Sequence, residues 1–144
     1  MAGWDLQTIG DRSICFKYVA GSRTWTEAVT LCAAEGGTLP LPLTSQEDTD
    51  YYSYLGSLGY LSSWMDGTDQ SVEGTWVTSA GDPITFFNWR LDNGQPDNAG
   101  SGEHYLHYRP GWGGVWNDHS ATYQDHVMCA KTLTGKTFIS WPGK

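Results

Sequence analysis

Gln95-Pro96-Asp97, followed by Glu103 and then by Trp116-Asn117-Asp118, is the stretch that decides how this chain reads. Gln95, Asp97, Glu103, Asn117 and Asp118 all carry carboxylate or carboxamide oxygens, on segments rich in Gly and Asn. Hard cations such as Ca²⁺ take about six to eight oxygen ligands at roughly 2.3–2.6 Å, from these residue types. The five side chains are expected to supply much of one such shell. An ion held this way, with coordination positions left open, can grip two neighbouring hydroxyls of a sugar. For a lone Asp97 or Asn117 a solvated turn would be the simpler reading; the grouping favours ligands.

Composition narrows the field. One domain, residues 1–144, is expected at this length. Eight Trp, eight Tyr and four Phe offer much apolar area, and Trp and Tyr also line sugar sites and interfaces. The 18 glycines, with Pro, Asn, Asp and Ser crowding 78–120, favour turns and long loops. A net charge of −8 argues against nucleic acid, which rewards basic patches. No charged-plus-apolar leader stands at Met1 and no apolar run has membrane-spanning length, so no membrane insertion is expected. Cys15, Cys32 and Cys129 lack the close pairing of a zinc site. A Cys32–Cys129 bridge would close a large loop. Cys15 is then left over, as a buried thiol or as a route to a covalent homodimer.

Along the chain, 12–20 reads as an N-terminal strand from its β-branched and aromatic content. Thr24-Trp25-Thr26-Glu27 is a capping box that opens a helix ended by Gly36-Gly37. Thr44-Ser45-Gln46-Glu47 repeats the signal and opens a second helix, with Gly56 as its stop. Short strands are expected at 61–65, 75–77, 103–108, 114–116 and 127–131, and a loop at 82–99. A loop that long in a compact domain is functional or disordered, and bound Ca²⁺ would order it. The order makes the chain α+β: two helices with a small antiparallel sheet and a long calcium-binding loop region.

Trp25-Thr26-Glu27-Ala28, Cys32, Trp116-Asn117-Asp118 and Val127-Met128-Cys129 together resemble the C-type lectin domain, over about 15–131. The resemblance implies a C-type lectin-like fold, a Cys32–Cys129 disulfide and a secreted, non-enzymatic module. It implies a sugar-binding calcium site on Gln95, Asp97, Glu103, Asn117 and Asp118. It also implies a second calcium site using Asp69 and Glu73, joined by Asn98 and the Glu103 carboxylate. Where the family commonly has an Asp after the Glu, this chain has His104, which leaves that second site short of an acid. The family's inner disulfide is missing: Tyr105 and Ala121 stand at its cysteine positions.

In this family Gln-Pro-Asp usually goes with galactose or N-acetylgalactosamine, and Glu-Pro-Asn with mannose types. A cis peptide before Pro96 would aim Gln95 and Asp97 at one ion. An amide can donate, whereas an ionised acid only accepts, so their order selects the arrangement of two hydroxyls. The aromatic ring that usually follows the motif is replaced by Asn98-Ala99-Gly100, and Trp112 is the candidate for stacking on the sugar. The expected partners are therefore glycans ending in galactose or N-acetylgalactosamine. A protein- or ice-binding module on the same scaffold is the alternative, as is mannose-type or mixed specificity. An enzyme finds little support. There is no Gly-x-Ser-x-Gly elbow and no zinc-protease histidine pattern. A glycosidase needs two carboxyls across a cleft, and here the clustered acids are assigned to the ion.

Overall fold

A Gly10-Asp11 turn joins β1 (Asp5–Ile9) to β2 (Arg12–Arg23) in an antiparallel hairpin, with Gly10 at φ 59. In this computed structural model, residues 3–59, 61–91, 94–98 and 102–133 are described. Ala99, Gly100 and part of the expected 82–99 loop lie outside them. The hairpin is a difference from the sequence reading, which placed only the second of its strands. Asp5–Ile9 is mostly exposed and carries little of the apolar signal that marks a strand.

Two helices follow: α1 (Trp25–Ala34) and α2 (Ser45–Ser57). At α1 both halves of the capping box form: Thr24 Oγ1 accepts from the Glu27 N–H, and Glu27 accepts from the Thr24 N–H. Gly36, at φ 82, turns the chain away. At α2 only one half forms. Thr44 accepts from the Glu47 N–H, but the Glu47 carboxylate accepts from Arg12 Nε and Nη2, at 3.0 and 2.7 Å, and from the Leu43 N–H. A buried acid with a guanidinium in reach takes the stronger, charge-assisted partner. Gly56 does not stop α2; the helix runs one residue past it, and Gly59 at φ 89 makes the turn.

The remaining strands are β3 (Ser63–Thr68), β4 (Tyr105–Arg109), β5 (Val115–His119) and β6 (Asp125–Leu133). They form one six-stranded sheet in the order β1-β2-β6-β3-β4-β5. The sheet is mixed, not antiparallel as expected, because β3 lies parallel to β6. Residues 75–77 make no strand; Val77 forms only isolated bridges to Thr68 and Pro83.

β6 sits between two hydrophobic clusters and serves both through its period of two. Val127 and Cys129 face one cluster with Trp25, Ala28, Cys32, Leu39 and Trp64. Met128 and Ala130 face the other, with Ile14, Phe16, Tyr51, Leu55 and Trp116. Cys129 is therefore aimed at α1, where it forms the disulfide with Cys32. Cys15 is a free thiol, fully buried on β2, and burial raises its pKa. It does not reach the surface, so the folded chain offers no covalent dimer through Cys15.

Asn88, in the segment between β3 and β4, is held by α2. Asp48 accepts from Trp116 Nε1 at 2.9 Å and from Asn88 Nδ2 at 2.7 Å. One helical carboxylate thus ties the loop to the strand that bears Asn117 and Asp118. Trp76, Trp89, Phe87 and Phe86 stack under the loop and against Trp116. With no inner disulfide here, this aromatic layer packs residues 76–89 against β5; Tyr105 itself lies against Trp25, with ring centroids 4.9 Å apart.

Candidate metal centre

The β4–β5 hairpin carries the site. Leu106 pairs with Asp118 and His107 with Asn117, so the two polar residues of Trp116-Asn117-Asp118 leave opposite faces of β5. Asp118 is buried, at 1% exposure. Its two oxygens accept from the Asp97 N–H at 3.0 Å and the Asn98 N–H at 2.9 Å. The carboxylate thereby clamps the 95–98 turn onto the strand. Within that turn the Gln95–Pro96 peptide is cis, and Asn98 takes φ 47, a left-handed conformation that Asn tolerates better than most residues. Gln95 Nε2 donates to Asp97 Oδ2 at 3.1 Å.

Three carboxylates converge: oxygens of Asp97, Glu103 and Asp118 lie within 4.8 Å of one another. Burial raises the pKa of Asp118, and the charge of Asp97 adds to this, against the lowering effect of main-chain N–H donors at Asn98, Asp97 and Asp118 itself. Like charges this close favour a cation among them. Gln95 closes one side of the group, its Oε1 3.4 Å from the Asp118 N–H. Four of the five expected ligands are thus brought together. Asn117 is adjacent but turned inward: its Oδ1 lies 3.0 Å from His107 Nδ1, and its Nδ2 donates to the Asp118 carbonyl at 3.1 Å. His107 Nε2 in turn meets Asp125 Oδ2 at 2.6 Å. This buried Asp125–His107–Asn117 chain had no signal in the sequence, which marked Asn117 only as a metal ligand and gave no reason to join it to His107 and Asp125.

A second group lies beside the first. Asp69 Oδ1 is 3.0 Å from His104 Nδ1, which is 3.4 Å from Glu73 Oε1. Ligand atoms of all three lie within 4.8 Å of one another. Partial loss of water and the neighbouring Asp69 charge raise the pKa of Glu73, with a smaller contribution from Asp118. Asn98, expected in this group, is placed with the first instead: its Oδ1 accepts from the Glu103 N–H at 2.7 Å. His104 occupies the second group in its stead.

Trp112 is not brought to either group. It belongs to a single 3₁₀ turn, Pro110–Trp112, at the closed end of the β4–β5 hairpin, whereas Asp118 lies toward the open end. Three strand positions separate Asp118 from Val115, roughly 10 Å. The guanidinium carbons of Arg90 and Arg109 lie 4.1 and 4.5 Å from the ring centroid of Trp112. The ring thus packs against two arginines, away from both acidic groups.

The family model for the lectin C-type domain matches residues 21–131. The chain belongs to the C-type lectin domain family. Members of this family are generally non-enzymatic binding modules. The C-type lectin domain here is 29% identical to perlucin of Haliotis laevigata over 123 residues, covering 84% of this chain and 78% of perlucin. It is 33% identical to human tetranectin over 118 residues, 80% of this chain and 58% of tetranectin. Among solved structures it resembles the C-type lectin CEL-I of Cucumaria echinata, with TM-score 0.77, 25% identity and coverage of 92% and 96% of the two chains. The mouse scavenger receptor C-type lectin carbohydrate-recognition domain superposes with TM-score 0.77 at 24% identity, covering 93% and 98%. Herring type II antifreeze protein shares the fold with TM-score 0.74 at 26% identity, covering 92% and 98%. Among the described residues no helix is long and apolar enough to cross a membrane.

Proposed function

We propose that residues 1–144 form one recognition domain that binds sugars through Ca²⁺, held by Gln95, Asp97, Glu103, Asn117 and Asp118. The convergence of the Asp97, Glu103 and Asp118 carboxylates carries this reading. The donor set is all oxygen and strongly negative, as calcium requires. When bound, the ion supplies open positions for two vicinal hydroxyls. The protein side chains do the rest. Gln95 offers an amide donor and Asp97 an acceptor to the same two hydroxyls, the order associated with galactose and N-acetylgalactosamine. Asn117 would supply its oxygen only with its amide turned over from its present contacts to His107 and the Asp118 carbonyl.

The Cys32–Cys129 disulfide supports a secreted location, since such bridges persist in oxidising compartments. Retention on galactose–agarose in Ca²⁺, with release by chelator, tests the reading; flow-through in both conditions would overturn it. A second reading, a non-sugar binder on the same scaffold, draws on the likeness to herring antifreeze protein. A glycan array with Ca²⁺ and with chelator separates the two. Calcium-dependent binding confined to mannose-type glycans would keep the site and discard the galactose preference.

A further inference from the structure

The second group does not suit calcium. Ca²⁺ takes oxygen ligands, six to eight of them at about 2.3–2.6 Å. Here two carboxylates meet an imidazole nitrogen, and the amide expected beside them, Asn98, accepts from the Glu103 N–H with its Oδ1 instead. Nitrogen with carboxylate oxygen is a donor set for first-row transition metals such as Zn²⁺, which bind at about 2.0–2.2 Å. Spacing agrees with chemistry. Two ligand atoms of a tetrahedral site with such bonds stand about 3.3 Å apart. His104 Nδ1 lies 3.0 Å from Asp69 Oδ1 and 3.4 Å from Glu73 Oε1.

The surroundings hold these atoms in place. Asp69 is 1% exposed, and its other oxygen accepts from the Gly74 N–H at 2.8 Å. The Asp69 N–H donates to the His104 carbonyl at 3.1 Å, so the two ligand-bearing segments are joined by main chain as well. Glu73 is the more exposed third arm, able to close on an ion from solvent.

We propose that Asp69, Glu73 and His104 form a three-ligand site for a divalent transition metal of the zinc class, with its fourth position open to water. The site is separate from the calcium group and does not depend on the sugar reading. The test is calorimetric titration of Zn²⁺ into chelator-stripped protein with millimolar Ca²⁺ present throughout. One equivalent should bind despite the excess calcium. His104→Asp, which restores an oxygen donor, should weaken Zn²⁺ at least tenfold, and His104→Ala should do the same. Equal melting temperatures in chelator would show that both variants are folded. Co²⁺ in place of Zn²⁺ should give visible absorption in the wild type that both variants lose. Asp118→Ala, which removes a ligand of the other group, should still take up Zn²⁺. Absence of Zn²⁺ binding, its displacement by Ca²⁺, or equal affinity in the His104 variants would overturn the proposal and leave a His104–Asp69 hydrogen bond only. Failure on galactose–agarose with Zn²⁺ uptake intact would count against the sugar reading alone.

Discussion

At the scale of single residues, Asp118 does two jobs with one carboxylate. It accepts two main-chain N–H groups that hold the 95–98 turn, and it lies in the acidic convergence. Asp118→Ala should therefore abolish both calcium binding at that group and sugar retention. A titration of Ca²⁺ monitored beside galactose–agarose binding checks this; retention equal to wild type would remove Asp118 from the site. The Gln95 and Asp97 side chains are argued to set specificity. Gln95→Glu with Asp97→Asn keeps one amide and one carboxylate, so Ca²⁺ should still bind. Only donor and acceptor positions are exchanged, and sites built to hydrogen-bond hydroxyls discriminate strongly against a mismatch. The double variant should lose galactose on a glycan array while its calcium affinity stays within a few-fold.

At the scale of elements, β6 and β4 are joined inside the sheet by Asp125 and His107. The Asp125 carboxylate also accepts from Ser62 Oγ at 2.7 Å and from the His126 N–H at 2.8 Å. Burial pushes its pKa up, but the hydrogen bonds from His107 and Ser62 outweigh this and hold it below the usual carboxylate range. A depressed folded pKa means that the unfolded chain binds the proton first on acidification. The stability Asp125 contributes is therefore present above the unfolded pKa of about 3.9 and is lost as pH falls through the lower folded value. Asp125→Asn should cost about 1.5–3 kcal/mol at pH 7, the range for hydrogen bonds to a charged group. Urea unfolding of both proteins at pH 7 and again near pH 3 should show the gap narrowing in acid. A gap that does not change with pH would mean that the carboxylate charge is not what stabilises the contact.

At the scale of the whole molecule, the ion and the fold are coupled. An ion that binds only the folded chain stabilises it by RT ln(1 + [L]/Kd), about 2.7 kcal/mol at a hundredfold excess over Kd. Ca²⁺ should raise the melting temperature, and hydrogen exchange should quicken first around 95–98 and 103–105 when it is removed. Identical melting curves in calcium and chelator would deny the ion a structural part. The Cys32–Cys129 bridge closes a loop spanning 97 positions. In the loop-entropy view a bridge of that span contributes about 4–5 kcal/mol. It should keep the two-cluster core intact while the calcium-side loop opens.

Local chemistry was legible in the sequence because it needs only neighbours. Thr24 and Glu27 are three residues apart, so their capping box could be read and is formed. The Trp and Tyr content announced a core, and Trp25, Trp64, Trp76 and Trp116 are buried in it. The acidic and amide positions around Pro96 and Trp116 could be read as one group, and Asp97, Glu103 and Asp118 do converge. What the sequence could not carry was any choice made between distant segments. Glu47 has the spacing of a capping residue, but Arg12, on β2, claims its carboxylate. The parallel seam between β3 and β6 depends on how the chain crosses, which no local period encodes. Trp112 reads as a ring for stacking on a sugar, but Arg90, from the loop before β4, and Arg109, at the end of β4, both lie against its ring. His104 reads as a lost acid, and only the fold brings its nitrogen to Asp69 and Glu73. Patterns of a few residues determined which groups were available here; long-range packing decided which of them met.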